Sequence, residues 1–273
     1  MVYHGGMATP PGRKALLFTA GGVPLSLPLG AVREIAPAGP GTAAGRARAE
    51  DLPPVSLAEA LGLPGVAGRY ALALEAPHAR ALLVDELRGI ADLAQAEVFR
   101  LPERLVLPRP APFESAFLFR GELYLEVSPA GVRVPAAVPS PPARASLPDS
   151  APTERELYCE RGGQPLAVPL SLLVQVIEPA RVFPVPLSPQ GQRGLLYHGR
   201  SLHPVFDAAA LTGAGEAGDP RVLLLLDAGG GTAGVLVDRV FGVGEGEGER
   251  PIRRPAWDAL LSPHGGDIKP EKD

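Results

Sequence analysis

The chain has 273 residues, 45% of them apolar, with a net charge of −4 and a single cysteine, Cys159. That length suits about two ordinary domains, and that apolar fraction suffices for a core in each. One cysteine excludes an internal disulfide and, with no His/Cys cluster at ligand spacing, a zinc site. A reducing, cytoplasmic setting is expected. Thirty-three glycines and thirty-three prolines argue against long helices and favour many short strands.

Positive charge is almost all arginine, Lys14, Lys269 and Lys272 being the lysines, and no basic stripe with interleaved aromatics occurs. Nucleic acid is not an expected partner. The longest purely aliphatic run, Val222 to Leu226, is far too short to span a bilayer, so membrane insertion is not expected either.

Met1 to Gly12 lack periodicity and read as a loose leader. Ala15 to Phe18 form an apolar run, Gly21-Gly22 a hairpin turn, and Val23, Leu25, Leu27 and Leu29 alternate with Pro24, Ser26 and Pro28. Alternation of period two predicts a half-buried strand. Prolines on its outward face place that strand at an edge, or paired on one side only. Pro37 to Asp51 carry no strand pattern, whereas Phe117 to Val127 predict a hairpin turning at Arg120-Gly121.

The first block recurs. Gly21 to Leu29 correspond to Gly162 to Leu170, with the glycine pair and both prolines in place. Val32-Arg33-Glu34-Ile35 correspond to Leu173-Val174-Gln175-Val176, and Pro54-Val55-Ser56-Leu57 to Pro204-Val205-Phe206-Asp207. Arg69 to Glu75 match Arg221 to Asp227, and Leu82 to Ile90 match Val235 to Val243. Blocks in one order at an offset of about 150 residues indicate a tandem duplication. The expected domains are residues 14–134 and 154–260, and Pro135 to Pro152, rich in proline, reads as an extended linker.

The copies differ. On this alignment Leu57 stands where the second copy has Asp207, and Ser56 with Glu59 offers a capping box one residue earlier. In the second copy no hairpin equivalent to Phe117–Val127 follows Asp238, only the acidic glycine run Gly244 to Glu249. The sheet edge so exposed must be covered, either by Ile252 to Leu261 or by a partner strand.

The most constraining stretch is Gly194 to Gly213. It reads as strand, tight turn at His198-Gly199-Arg200, strand, and a short helix capped by Asp207 and stopped by Thr212-Gly213. It resembles the central signature of the CheW family, the adaptor domains of bacterial chemotaxis arrays, roughly G-V-I-N-L-R-G-x-V-I-P-V-I-D-L. Gly194, Leu195, Leu196, Leu202, Pro204, Val205, Phe206 and Asp207 fall in register. Where the family has Arg-Gly, this chain has Gly199-Arg200, so the pair is exchanged or the register slips by one.

The resemblance implies an all-β fold with short helices, as two CheW-like domains each made of a pair of small five-stranded β-barrels. It also implies a non-catalytic scaffold without cofactors, coupling a chemoreceptor signalling tip to the regulatory domain of a CheA-type histidine kinase. The surfaces carried over by resemblance are Val32, Glu34 and Ile35 in the first copy, and Val174, Val176, Gly199 and Arg200 in the second. A decoy that competes for receptor or kinase is the alternative within the binding class.

An enzyme is the other class. No G-x-S-x-G, P-loop, H-E-x-x-H or C-x-x-C motif occurs. Asp85 and Asp238, each ending a Leu-Val-Asp strand, are the most enzyme-like symmetric pair, and their simpler reading is a turn or cap that ends the strand. Gly229 to Gly231 read as a hairpin turn, not a phosphate cradle.

Overall fold

The computed structural model describes residues 12–38, 52, 54–65, 68–75, 77–132, 155–189, 191–213, 218–227, 231–244 and 252–261. The expected leader up to residue 11, most of the patternless 37–51 segment, the proline-rich joint, Gly229, Gly230 and the glutamates of the acidic run lie outside them. The chain divides into two units, Met1–Leu101 with Leu107–Pro139, and Pro102–Val106 with Ser140–Asp273.

In the first unit, β1 (Lys14–Ala20) and β2 (Val23–Pro28) form the predicted hairpin, followed by β3 (Val32–Pro37), β4 (Pro54–Ser56) and the short helix α1 (Leu57–Ala60). Then come β5 (Tyr70–Leu74), β6 (Ala81–Val84), β7 (Glu86–Asp92), β8 (Glu97–Arg100), β9 (Phe113–Phe119) and β10 (Glu122–Val127). They sort into a six-stranded sheet, β7-β1-β2-β10-β9-β8, and a four-stranded sheet, β3-β5-β6-β4.

The second unit repeats the first seven strands and adds two: β11 (Glu156–Arg161), β12 (Gln164–Pro169), β13 (Leu173–Ile177), β14 (Val182–Phe183), β15 (Gln192–His198), β16 (Ser201–Asp207), α2 (Ala208–Thr212), β17 (Val222–Asp227), β18 (Thr232–Val237) and β19 (Arg239–Gly244), with α3 (Trp257–Leu260) last, the added two being β14 and β15. Its sheets are β12-β11-β19 and β13-β17-β18-β16-β15-β14. The fold is all-β with short helices. The strands divide six with four and three with six, not five with five, because β8, β9 and β10 extend one sheet of the first unit and β14 with β15 extend one of the second.

Strand registers carry the duplication. Ile35 faces Leu72, Leu72 faces Leu82 and Leu82 faces Val55, just as Val176, Leu224, Val235 and Phe206 line up across the second unit. Even the bulges recur, between Leu17 and Phe18 and between Tyr158 and Cys159. This ladder corrects the alignment by one residue. Ser56 faces Leu83 and Asp207 faces Leu236, so Ser56, not Leu57, occupies the place of Asp207. Both cap their helices, Ser56 Oγ accepting from the amide of Glu59 at 3.3 Å and Asp207 Oδ1 from that of Ala209 at 2.9 Å. A matched Pro-Val pair misled the alignment because proline positions within a strand carry little register information.

The edge expectation for β2 is also corrected. β2 is interior, with β1 on one side and β10 on the other. β10 pairs only with Leu25 and Ser26, between the two prolines, so the donors that Pro24 and Pro28 lack are not asked for.

In the second unit the corresponding edge of β12 is closed by the chain's own later residues. Arg253 forms a parallel bridge to Leu166, as Leu125 of β10 does to Leu25. The amide of Ala167 donates to Arg253 O at 2.8 Å, the amide of Arg253 to Pro165 O at 3.1 Å, and Trp257 Nε1 to Ala167 O at 2.8 Å. Pro165 and Pro169 have no N–H to leave unpaired. Trp257, Leu260 and Leu261 are buried against Leu166, Val168 and Val235. Of the two expected covers, Ile252 to Leu261 is the one observed.

The second unit also includes five residues from inside the first copy, Pro102–Val106. The Gln192 amide accepts from Val106 N at 3.0 Å and donates to Val106 O at 3.3 Å, Arg104 Nη1 donates to Leu261 O at 2.8 Å, and Leu105 is buried.

Candidate interaction surfaces

Hairpin β15–β16 presents the signature residues. Gln192 to His198 pair with Ser201 to Phe206, and His198 faces Ser201, so Gly199 and Arg200 are the two central residues of the turn. Their φ angles are +57° and +60°, the signature of a type I′ hairpin turn. Gly199 and Arg200 fill the whole two-residue loop, with His198 paired directly to Ser201. Gly194, at φ +138°, is fixed by sterics, since a Cβ there would lie 2.0 Å from Phe183 O.

The tip is tied to the edge strand β13. His198 Nε2 lies 2.9 Å from Gln175 Oε1, although β13 and β15 stand first and fifth in the sheet order, so the sheet curls until these strands meet. Leu196, Val205, Leu223, Leu225 and Leu236 fill the space beneath, with Ile177 and Val182 packed on them. Outward from β13 point Val174, 54% exposed, and Val176, 40% exposed. An exposed aliphatic pair on an edge strand beside a charged tip is an unusual surface for a chain to leave uncovered.

In the first copy Ile35 is 42% exposed on the equivalent strand, while Val32 and Glu34 are half-buried. Among the described residues no turn equivalent to Gly199-Arg200 is seen in the first unit; the second unit brings the two kinds of carried-over residue together through Gln175 and His198. Sequence reasoning missed the exposed residues of β7 and β19, Ile90, Phe241 and Val243, where alternation after Asp85 and Asp238 was the available signal.

Beneath the base of this hairpin lies a charge cluster that the sequence did not reveal. Arg161, ending β11, is wholly buried; its Nε and Nη2 each donate to Asp207 at 2.8 Å, and Nη1 donates to Gly218 O at 2.7 Å and to Asp238. Arg193 adds a bond of 3.0 Å to Asp207 Oδ2. Burial alone would raise the Asp207 pKa, but the hydrogen bonds from Arg161, Arg193 and the Ala209 amide hold it down, to about 2. The same bond to Asp207 raises the Arg161 pKa. In the first copy the equivalent positions are Ala20 and Ser56, so the pair was exchanged for neutral residues.

Asp238 has a second task. Its Oδ2 accepts from the amide of Gly162 at 2.7 Å, as Asp85 Oδ2 accepts from that of Gly21 at 2.7 Å. Both pin the glycine turn of their unit's first hairpin, 76 and 64 residues away, instead of a turn or cap at the end of their own strand as expected. Burial lowers the pKa of His203, whose Nε2 lies 3.1 Å from His198 O, and pushes the Cys159 thiol up to about 12. Among the described residues no group of three His, Cys, Asp or Glu side chains could hold a metal. No helix there is long and apolar enough to cross a membrane.

The family model of the CheW-like domain matches residues 157–256. Protein FrzA of Myxococcus xanthus is 32% identical over 133 residues, 48% of this chain and 78% of that protein. The chain belongs to the CheW-like chemotaxis adaptor family. Among solved structures, the scaffolding protein TtCheW from Thermoanaerobacter tengcongensis is 18% identical with a TM-score of 0.32, over 35% of this chain and 66% of that one. The stretch matched to the CheW-like domain runs from the second residue of β11 through β19, with hairpin β15–β16, and it stops one residue before Trp257.

Proposed function

We propose that this chain is a non-catalytic, cytoplasmic signalling scaffold that couples a chemoreceptor-like signalling tip to the regulatory domain of a CheA-type histidine kinase. The observation that carries this reading is the second unit's surface, where Val174 and Val176 stand exposed on an edge strand tied through Gln175 and His198 to the Gly199-Arg200 tip. An aliphatic patch excludes water while an exposed arginine selects an acidic counterpart, which is the composition of a specific protein interface.

Residues 14–134 and 154–260 are read as two adaptor modules, joined by residues 135–153. Val32, Glu34 and Ile35 are the corresponding contact residues of the first. Two modules on one chain raise the effective concentration of the second binding event once the first has occurred.

The test is a pull-down with purified kinase and receptor fragments. A ternary complex supports the scaffold; binding of kinase and receptor that is mutually exclusive replaces it with the decoy reading. Arg200→Glu should weaken partner binding without loss of stability, and unaltered binding removes that residue from the surface.

A further inference from the structure

Among the described residues, four two-residue hairpin turns place both central residues at positive φ. Gly21-Gly22 (+56°, +77°) and Gly162-Gly163 (+59°, +76°) use glycine twice. The other two give one position to arginine: Arg120 (+52°) precedes Gly121 (+80°), and Arg200 (+60°) follows Gly199 (+57°). A side chain disfavours this backbone conformation and glycine does not. The glycine pairs show that the turn needs no arginine. Among the described residues only Leu187 is a further non-glycine residue at positive φ. Backbone strain kept at an exposed position, where glycine would relieve it, is a mark of function and not of folding.

Both arginines are exposed, and among the described residues neither has a carboxylate partner. The Arg120 guanidinium lies 5.1 Å from the centroid of the Phe119 ring, which steadies it and leaves its donors outward. Phe119 is half-buried and packs on the cluster of Leu17, Phe117 and Tyr124, so the tip is mounted on a rigid hairpin.

We infer that Arg120 is the first copy's binding arginine: it takes an acidic side chain on a partner protein, from the hairpin β9–β10, where the second copy uses Arg200 on β15–β16. This rests on the scaffold reading above. It gives the first unit a charged contact that its divergence from the signature had removed.

The test uses the full chain and, in separate arms, the kinase regulatory domain and the receptor tip. Arg120→Gly recreates the Gly21-Gly22 turn, so its Tm should hold or rise, while Kd for one of the two fragments weakens about tenfold and Kd for the other does not change. Arg120→Lys, keeping charge without the planar fork, should fall between. Unchanged Kd for both fragments in Arg120→Gly, with Arg200→Glu still weakening binding, would overturn this inference and spare the scaffold reading. Failure of the intact chain to bind either fragment would sink both. A Tm that falls in Arg120→Gly would also overturn it, by showing that the arginine serves the fold.

Discussion

Trp257 Nε1 donates to Ala167 O on the same residue whose own amide donates to Arg253 O, both at 2.8 Å, so one residue of β12 has its entire outward edge satisfied by residues 253–257. Arg253 and the indole together thus do for the second unit what a whole strand, β10, does for the first. Trp257→Ala should cost about 3–5 kcal/mol through lost burial and the cavity left behind. Trp257→Phe keeps most of the apolar contact and strands the Ala167 carbonyl, a loss of about 1–3 kcal/mol. Cys159, buried in the same core with its thiol pKa pushed up to about 12, is a built-in reporter. Its rate of labelling by a thiol reagent should rise in the order wild type, Phe variant, Ala variant.

The exchange of Arg161 and Asp207 for Ala20 and Ser56 between the copies predicts a strong coupling. Arg161→Ala strips the buried Asp207 carboxylate of two hydrogen bonds and leaves it only Arg193 and the Ala209 amide, at a cost of about 3–5 kcal/mol. Asp207→Ser in that background removes the stranded carboxylate and keeps the helix cap, as Ser56 does in the first copy. The double variant should therefore be more stable than Arg161→Ala alone, and urea denaturation of the four proteins measures the coupling. Additive losses would mean that Arg193 and Asp238 absorb the change.

A pH dependence follows from the same carboxylate. The folded state holds the Asp207 pKa at about 2 against an ordinary 3.8, so the unfolded chain takes up the proton first as pH falls. The pair's contribution, about 2 kcal/mol, is complete above about pH 4 and disappears as the pH drops towards 2. The difference in unfolding free energy between wild type and Asp207→Asn should be constant from pH 5 to 7 and shrink below about pH 4. A difference that grew on acidification would reverse the assignment.

The duplication was legible because both copies kept their turn glycines, Gly21-Gly22 and Gly162-Gly163, and the alternation beside them, and these features act locally. Less local features were hidden. Arg161 ends an apolar strand and looks like a solvated terminus; its burial depends on Asp207 and Asp238, 46 and 77 residues away. Ser56 was legible as a helix cap, and it accepts from the Glu59 amide; only its correspondence with Asp207 was hidden, because that is set by pairing with β6 and not by the neighbouring proline. Ile35, Val174 and Val176 have the composition of core residues, and only their place on edge strands turns them outward. Closure of β12 was the exception, foreseeable because a missing hairpin leaves a definite set of amides and carbonyls to satisfy.

That outward edge supplies the last expectation. Val174 is 54% exposed, so Val174→Asp should change stability by no more than about 0.5 kcal/mol. A carboxylate there would put a charge where the proposed contact needs an apolar surface, and would remove a methyl pair from it. Binding should weaken about tenfold or more, and adding Val176→Asp should deepen the loss. The equivalent change in the first unit, Ile35→Asp, separates the modules: if each binds on its own, the two losses are independent and a chain carrying both changes binds no fragment. Surface plasmon resonance on these four chains, with thermal melts in parallel, reads both quantities. Unaltered affinity in the Val174→Asp/Val176→Asp chain, with melts unchanged, would mean that the exposed edge of β13 is not where partners meet this protein.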